Sequence, residues 1–445
     1  MLIETPKIPH LLQRIQWIMN PVEYMEGNTK QYPDIFEGKV VGYGGSLVFV
    51  NHPQAIQEIL TNSRNKLSAP GEFNDFLKPF IGSHSMVTLG GNPHKKRRKL
   101  LMPSFHGDRM SNYGESIIKL TERVINKLPI NKPFSARKTM QEISLQVILE
   151  VVFGLQSGEL YQELINFVYL IGDLFESPLN SSVVFLSFLQ KDLGAWSPWG
   201  NFLRQKQKLD KLLYAEIAQR RLQKDCDCTD ILSLFLSVRD EDGNPMSDEE
   251  IRDELIALVL AGHENTATAL AWGLYWTHKI PEVKTKILAE LKGLDNTPDP
   301  MTIFRLPYLT AACNETLRIY PMIVLTFPRL VEQPMELLGY QIEQGKVIVG
   351  GIYALHHRED LYPNSKQFRP ERFLERQFSY NEFIPFGMGK RRCIGDAFAM
   401  FKIKLVLSTI LSNYQLALVD KKAEKPQRRG LTIAPANGVQ MMLLG

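Results

Sequence analysis

The sequence is poor in cysteine: four residues (Cys226, Cys228, Cys313, Cys393) in 445. That is too few for a disulfide framework in a chain this long, and a reducing compartment is the simplest inference. Cys226-Asp227-Cys228 is too close for a C-x-x-C site and sits in a charged loop, so it reads as surface. No run of about 18 apolar residues occurs, so no transmembrane anchor is expected. No uninterrupted apolar core marks a secretory signal either, because Glu4, Lys7 and Arg14 break the first twenty positions. The expected location is cytoplasmic. There is no strong charge of one sign: the net charge is +4, which by itself does not point to nucleic acid, and no nucleic-acid partner is expected. There are no repeats, low-complexity tracts or long linkers. No G-x-G-x-x-G follows a strand pattern, which excludes a built-in flavin or nicotinamide domain.

What is present is an ordinary globular balance, 44 % hydrophobic and 22 % charged. Strand signals appear at Lys39-Val40-Val41 and Leu47-Val48-Phe49-Val50, with a turn at Gly42 to Gly45. From Pro53 the periodicity is mostly helical. A second strand pair is expected across Met335 to Gly351, with turns at Gly339 and Gly345, and a short pair in the tail from Leu431 to Leu444. The fold class is therefore mostly α with small β-sheets (α+β). Ser247-Asp248-Glu249-Glu250 forms a capping box, and the apolar pattern behind it runs to His278 before Pro281. A helix of about 30 residues, apolar on most faces, is expected to cross the core. The N-terminal Ile/Leu/Trp-rich segment is expected to pack on its own domain, with an amphipathic segment that touches a membrane as the alternative.

The chemistry concentrates in three places. Phe386-Gly387-Met388-Gly389-Lys390-Arg391-Arg392-Cys393-Ile394-Gly395 sets one cysteine in a glycine-rich basic turn ahead of a helix. Cationic neighbours and a helix N-terminus lower a thiol pKa, and a thiolate is a soft ligand for iron. In the middle of the long helix lies Ala261-Gly262-His263-Glu264-Asn265-Thr266, four consecutive polar residues that need partners or work if buried. Glu315 and Arg318 share a helix face, with Phe368-Arg369-Pro370-Glu371-Arg372-Phe373 downstream.

Taken together these segments resemble the cytochrome P450 family. Phe386, Gly389, Arg391, Cys393 and Gly395 match its F-x-x-G-x-R-x-C-x-G loop. Ala261 to Asn265 is similar to its (A/G)-G-x-(D/E)-T motif, with Asn265 where the threonine belongs and Thr266 one residue late. Glu315, Arg318 and Arg372 match its E-x-x-R and P-E-R-F elements. The resemblance implies the family's triangular single-domain fold, haem b as cofactor and Cys393 as the iron ligand. It implies propionate contacts at His94, Arg98, Arg329 and Arg391, and Ala261 against the cofactor. Glu264 would guide protons, and Asn265 with Thr266 would contact O2. Neither His356 nor His357 is expected to ligate iron, though His357 is near a propionate in this reading.

The implied activity is monooxygenation of an apolar small-molecule substrate, a long-chain fatty acid or terpene. Pro9 to Asp34 and the Ala-Gly-His-Glu run resemble cyanobacterial hydroxylases of that kind. Electrons would come from a ferredoxin or flavodoxin with its reductase, steered by Lys95, Lys96, Arg97, Lys99, Lys390, Arg392, Lys402 and Lys404. The substrate wall is expected from Phe73, Phe76, Phe80, Phe175, Leu258, Ala261, Glu264, Ile323, Val324, Leu325, Thr432 and Ile433. Two other readings stay open: a peroxide-dependent or rearranging haem-thiolate enzyme, and a non-catalytic haem sensor.

Overall fold

The structure is a computed structural model that describes residues 1–445 except 41–42, 62–65, 106–108, 177–189, 224–229, 295–297 and 421. Cys226 and Cys228 lie outside the described residues, as do Val41 and Gly42. The main helices are α1 (His10–Met19), α2 (Pro21–Thr29), α3 (Pro53–Thr61), α4 (Gly91–Leu101), α5 (Gly114–Ile125) and α6 (Ala136–Phe153). They continue with α7 (Glu159–Glu176), α8 (Pro198–Leu222), α9 (Asp248–Lys279), α10 (Pro281–Lys292), α11 (Pro307–Ile319) and α12 (Asp396–Asn413). Twelve short strands form four small sheets among the described residues.

The expected central helix is α9, 32 residues long, and both arms of the capping box form: Glu250 N–H donates to Ser247 Oγ, and Ser247 N–H to Glu250 Oε2. It packs on α6, α8, α11 and α12, which bury it on nearly every side. One large apolar cluster surrounds it, and two smaller ones lie by the largest sheet.

That sheet has the order β1-β2-β8-β5-β3, from Ile35–Gly38, Leu47–Val50, Val347–Gly350, Arg329–Val331 and Leu67–Ser68. Its first strand lies earlier than the sequence pattern places it. Ile35 to Gly38 pair with Val50 to Leu47, while the Lys39 N–H is taken by the Gln13 side chain. The expected pair across 335–351 divides in two. Met335–Leu337 (β6) and Tyr340–Ile342 (β7) close a hairpin over Leu338 and Gly339, both at positive φ, whereas β8 joins the large sheet, parallel to β2. In the tail, Pro426–Arg429 (β10) pairs with Thr432–Pro435 (β11), and Gln440–Leu443 (β12) joins Pro133–Ser135 (β4) and Leu416–Leu418 (β9).

The N-terminal segment departs from expectation. α1 buries only Gln13 and Trp17 and leaves its other apolar side chains in solvent, so it does not pack its apolar face on the body. No helix among the described residues is long and apolar enough to cross a membrane.

Candidate functional site

Cys393 is set by its backbone. Its N–H donates to Phe386 O at 2.9 Å, which closes the basic turn, and the stretch before the turn is held by Ile384 N–H donating to His356 Nε2 at 3.0 Å. Gly389 sits at φ +70°, and a Cβ there would come within 2.1 Å of Leu60 O at the end of α3. Only glycine lets the turn dock on that helix. Arg98 Nη1 donates to Arg392 O at 2.6 Å, and Arg392 pairs with Asp396 in the first turn of α12.

The thiol is accessible to solvent-sized contact, yet burial dominates its titration and pushes it up to about 11. Both facts hold when the sulfur faces an internal space rather than bulk water. The Gly395 N–H, Arg98 and Arg392 lower the pKa but do not offset burial. The basic turn lowers the thiol pKa in the expected direction, and a coordinated metal ion would add its own charge in the same direction.

Four basic groups converge beside this turn. His94 is buried, and burial plus the charges of Arg391, Arg98 and Arg329 lower it to about 4. Arg391 donates to the carbonyls of Met86, Ala69 and Leu89 and lies 4.3 Å from the Phe327 ring centroid. Arg329, 4 % exposed, donates only to Phe327 O and Pro328 O. Burial pushes both guanidiniums down to about 10. Among the described residues, the hydrogen bonds of Arg98, Arg329 and Arg391 all go to backbone carbonyls and none to a carboxylate. Buried cations without a paired anion are costly. The two carboxylates of a haem would supply the missing charge, and a cysteine facing internal space would supply the axial ligand. The residues present fit that group.

The opposite wall comes from α9. Ala261, midway along a core helix, is exposed, and Leu258 and Asn265 are half-buried. Asn265 shares the Ala261 side of the helix: its Nδ2 donates to Ala261 O at 3.4 Å, and its Oδ1 is buried with no donor.

Two other members of the polar run point elsewhere. Glu264 is held by α6, with Arg137 Nη2 at 2.6 Å from Oε1 and Gln141 Nε2 at 2.7 Å from Oε2. Its carboxylate is drawn to α6 and so is not part of an apolar substrate wall. Thr266 is 5 % exposed and donates to Gly262 O at 3.2 Å. A Cβ at Gly262 would meet Ile148 of α6, so this side of α9 faces protein. Thr266 therefore does not share the side of Asn265, as their roughly 100° separation on a helix predicts.

α12 meets α9 through Lys402. Its ammonium, 1 % exposed, donates to Gly262 O at 2.8 Å and Ser144 Oγ at 3.0 Å, and burial lowers it to about 7. Lys404 is buried too, on Phe304 O and Thr310 Oγ1. Neither belongs to a docking face. Arg97 is likewise buried, between Glu250 and Glu254, and Lys99 pairs with Glu241 at 2.8 Å. Lys95, Lys96 and Lys390 remain as exposed cations of that set. Two lysines in the otherwise apolar run Phe401-Lys402-Ile403-Lys404-Leu405 were a readable signal of buried partners.

The Glu315 network forms as expected. Glu315 and Arg318 are 0 % exposed and paired at 2.7 Å, Arg372 Nε reaches Glu315 Oε1 at 3.0 Å, and Arg318 Nη1 donates to His356 O at 2.7 Å. One buried cluster thus ties α11 to the strand-rich region and to the stretch before the cysteine turn. His357 Nδ1 donates to Tyr353 O at 2.9 Å, and its ring stacks on the Tyr353 ring at 4.1 Å. Phe80 is 1 % exposed among Phe175, Trp199 and Phe202, a core position rather than a wall. Ile323 is exposed, Val324 and Leu325 are half-buried, and Ile433 is buried.

Comparison with known proteins agrees with this geometry. The sequence model of the family described as Cytochrome P450 matches residues 4–441. The chain is 31% identical over 441 residues to cytochrome P450 135A1 of Mycobacterium tuberculosis, covering 99% of this chain and 94% of that one. It is 33% identical over 401 residues to cytochrome P450 137 of the same species, covering 89% and 80%. Among solved structures it is similar to the cytochrome P450DA heme domain, with TM-score 0.83, 22% identity and coverage of 100% and 97%. It is also similar to the retinoic acid bound cyanobacterial CYP120A1, with TM-score 0.81, 20% identity and coverage of 96% and 95%. The buried arginines, the cysteine turn and a family match across nearly the whole chain lead to one statement: the chain belongs to the cytochrome P450 family, haem b monooxygenases that use O2 and redox partners to oxidise small molecules.

Proposed function

We propose that residues 1–445 act as one catalytic domain that hydroxylates or epoxidises a long-chain fatty acid or terpene, with electrons from a separate ferredoxin or flavodoxin. The observation that carries the substrate class is the character of α9 where it is exposed. Ala261 and Leu258 present apolar surface, Asn265 presents an amide, and the one carboxylate nearby, Glu264, is tied back to Arg137 and Gln141. Val324 and Leu325 add apolar surface from the segment after α11. Such a wall selects for apolar surface and offers no charged anchor. One similar structure holds retinoic acid, an apolar chain of the same general class.

Bound haem supplies the activation of O2 and the insertion of one oxygen atom, with thiolate electron donation favouring O–O cleavage. In this reading Cys393 holds the iron, and His94, Arg98, Arg329 and Arg391 hold the propionates. Ala261 contacts the cofactor face, and Asn265 contacts O2 through its amide. Glu264 guides protons and water from its place against Arg137 and Gln141, whose N–H groups orient its carboxylate. Phe386, Gly389 and Gly395 shape the turn. Lys95, Lys96 and Lys390 steer an acidic donor.

The ligand is tested by the Soret band of the reduced carbon monoxide complex. Wild type should show the red shift of thiolate ligation, and Cys393→Ala should lose it; a retained band would remove Cys393 from the role. Substrate and donor are tested together, by turnover of fatty acids and terpenes with a ferredoxin, its reductase and NADPH, against peroxide alone. Products that need the reductase system support the proposal. Products formed only with peroxide, or only from polar substrates, would overturn it.

A further inference from the structure

α1 is an inverted amphipathic helix. Its inward side is Gln13 and Trp17, one turn apart. Gln13 is 1 % exposed and saturated, donating to Pro6 O and Ile8 O and accepting from Tyr24 Oη and Lys39 N. Trp17 lies edge-on to Tyr24 and Phe49. A polar side chain and one indole therefore fix the helix. On the far side Leu11, Leu12, Ile15, Ile18 and Met19 are 68%, 50%, 46%, 49% and 72% exposed. At about 100° per residue these five fill an arc opposite Gln13 and Trp17. A surface helix of a water-soluble body ordinarily shows the reverse, with its apolar stripe turned inward.

Charge and size decide what covers this stripe. α1 contains no Asp or Glu, while His10 and Arg14 line one edge of the stripe and Lys7 precedes it. The helix is about 15 Å long, well short of the roughly 20 residues a membrane span needs. Five side chains on so short a helix also present less than the roughly 800 Å² per partner that a stable protein interface buries. A short helix with an apolar outer face and basic edge suits the headgroup–acyl boundary of an anionic bilayer.

The surroundings continue the same face. Arg428 of β10 donates to Trp17 O at 3.2 Å, and Leu431, at the tip of the β10–β11 hairpin, is 44 % exposed. Gly430 at that tip abuts Phe175 near the end of α7, and Ile433 N–H donates to Met322 O, just before Ile323 to Leu325. One hairpin therefore separates α1 from the segments that carry the apolar wall.

We propose that α1 is a monotopic docking element that lies in the surface of an anionic phospholipid bilayer, immersing Leu11, Leu12, Ile15, Ile18 and Met19 with His10 and Arg14 at the phosphates. The proposal does not depend on which apolar substrate is oxidised.

Co-sedimentation of the haem-loaded protein with phosphatidylcholine vesicles, with and without phosphatidylglycerol, tests it. Wild type should bind the phosphatidylglycerol vesicles more tightly, and high salt should weaken that preference. L11Q/I15Q/I18Q, at exposed positions and with a good helix former, should weaken binding to both vesicles about ten-fold or more. Arg14→Gln should cost only the preference for anionic vesicles, about five-fold. An unchanged carbon monoxide band shows that each variant remains folded. Failure of wild type to bind either vesicle, or equal binding by the triple variant, would overturn the proposal. So would a wild-type dimer in light scattering that the triple variant abolishes, because a second copy would then cover the stripe.

Discussion

Asn265 is the residue on which the chemistry of this chain departs furthest from its family pattern. A hydroxyl at this position both donates and accepts and can pass a proton on, whereas an amide does not relay one. The structure narrows the substitutes. Thr266 supplies a hydroxyl one residue later, but spends it on Gly262 O on the side of α9 that faces α6. Asn265 keeps one amide N–H beyond the 3.4 Å contact with Ala261 O, and a buried Oδ1 with no donor. Buried orphan acceptors are uncommon and point to a partner that is not part of the chain. Asn265→Ala is expected to lower the coupled rate about ten-fold, or about 1.4 kcal/mol, with NADPH use running ahead of product. Asn265→Thr is expected to keep or raise the product-to-NADPH ratio, because it restores the hydroxyl. Measurement of both ratios decides the matter: an unchanged ratio in the alanine variant would make Asn265 a mere helix residue.

At the scale of elements, the cysteine turn depends on α3 as much as on its own sequence. Gly389 brings the turn against Leu60 O with no room for a methyl group, at a φ that L side chains avoid. Gly387, also at positive φ, borders open space on its side chain side. Gly389→Ala should therefore displace the turn and lower haem retention severely, by more than the about 1 kcal/mol of the backbone term alone. Gly387→Ala should show mainly that backbone term. Haem content per chain after expression, with thermal unfolding of the loaded fraction, separates them; equal haem content in the two variants would deny α3 its part.

Other elements show what a sequence carries and what it does not. α9 was legible because the capping box and the all-round apolar pattern act locally. β1 was not, because the side chain of Gln13, distant in sequence, takes the Lys39 N–H and the ladder ends at Gly38. The strands β3, β4 and β5 are two or three residues long and exist through partners far along the chain, so they carry no periodicity of their own. The loop and network motifs named the site residues, but a motif does not encode direction. The inward turn of Lys402, the withdrawal of Glu264 to α6 and the outward stripe of α1 are tertiary facts.

Over the whole molecule, the buried titratable bases set how stability responds to pH. His263 and His278 are lowered to about 4 and His356 to about 3, in each case mainly by burial, and His357 is lowered in the same way. The native state thus holds them neutral at a pH where the unfolded chain, with histidines near 6.5, takes up protons. Between about 4 and 6.5 the unfolded state binds more protons than the native state, so stability rises with pH across that window and is lost on acidification. For His278 the displacement to about 4 corresponds to about 3 kcal/mol at most. Lys402, lowered to about 7, acts with the same sign on the alkaline side, where stability rises from about 7 toward the ordinary lysine range. The melting temperature of the loaded protein is therefore expected to fall from neutral pH to pH about 5; the Glu254 carboxyl, raised to about 7 by burial, acts with the opposite sign in that window, and the four histidines outweigh it. His278 lies at the C-terminal end of α9, where its Nδ1 meets Leu274 O at 2.8 Å, far in sequence from the polar run at 261–266. His278→Gln can keep a donor to that carbonyl but cannot take up a proton, so its melting curve should lose less between those two pH values than wild type does. A wild-type melting temperature that stays flat down to pH about 5, or a His278→Gln variant with the same slope, would assign acid sensitivity to the carboxylates instead.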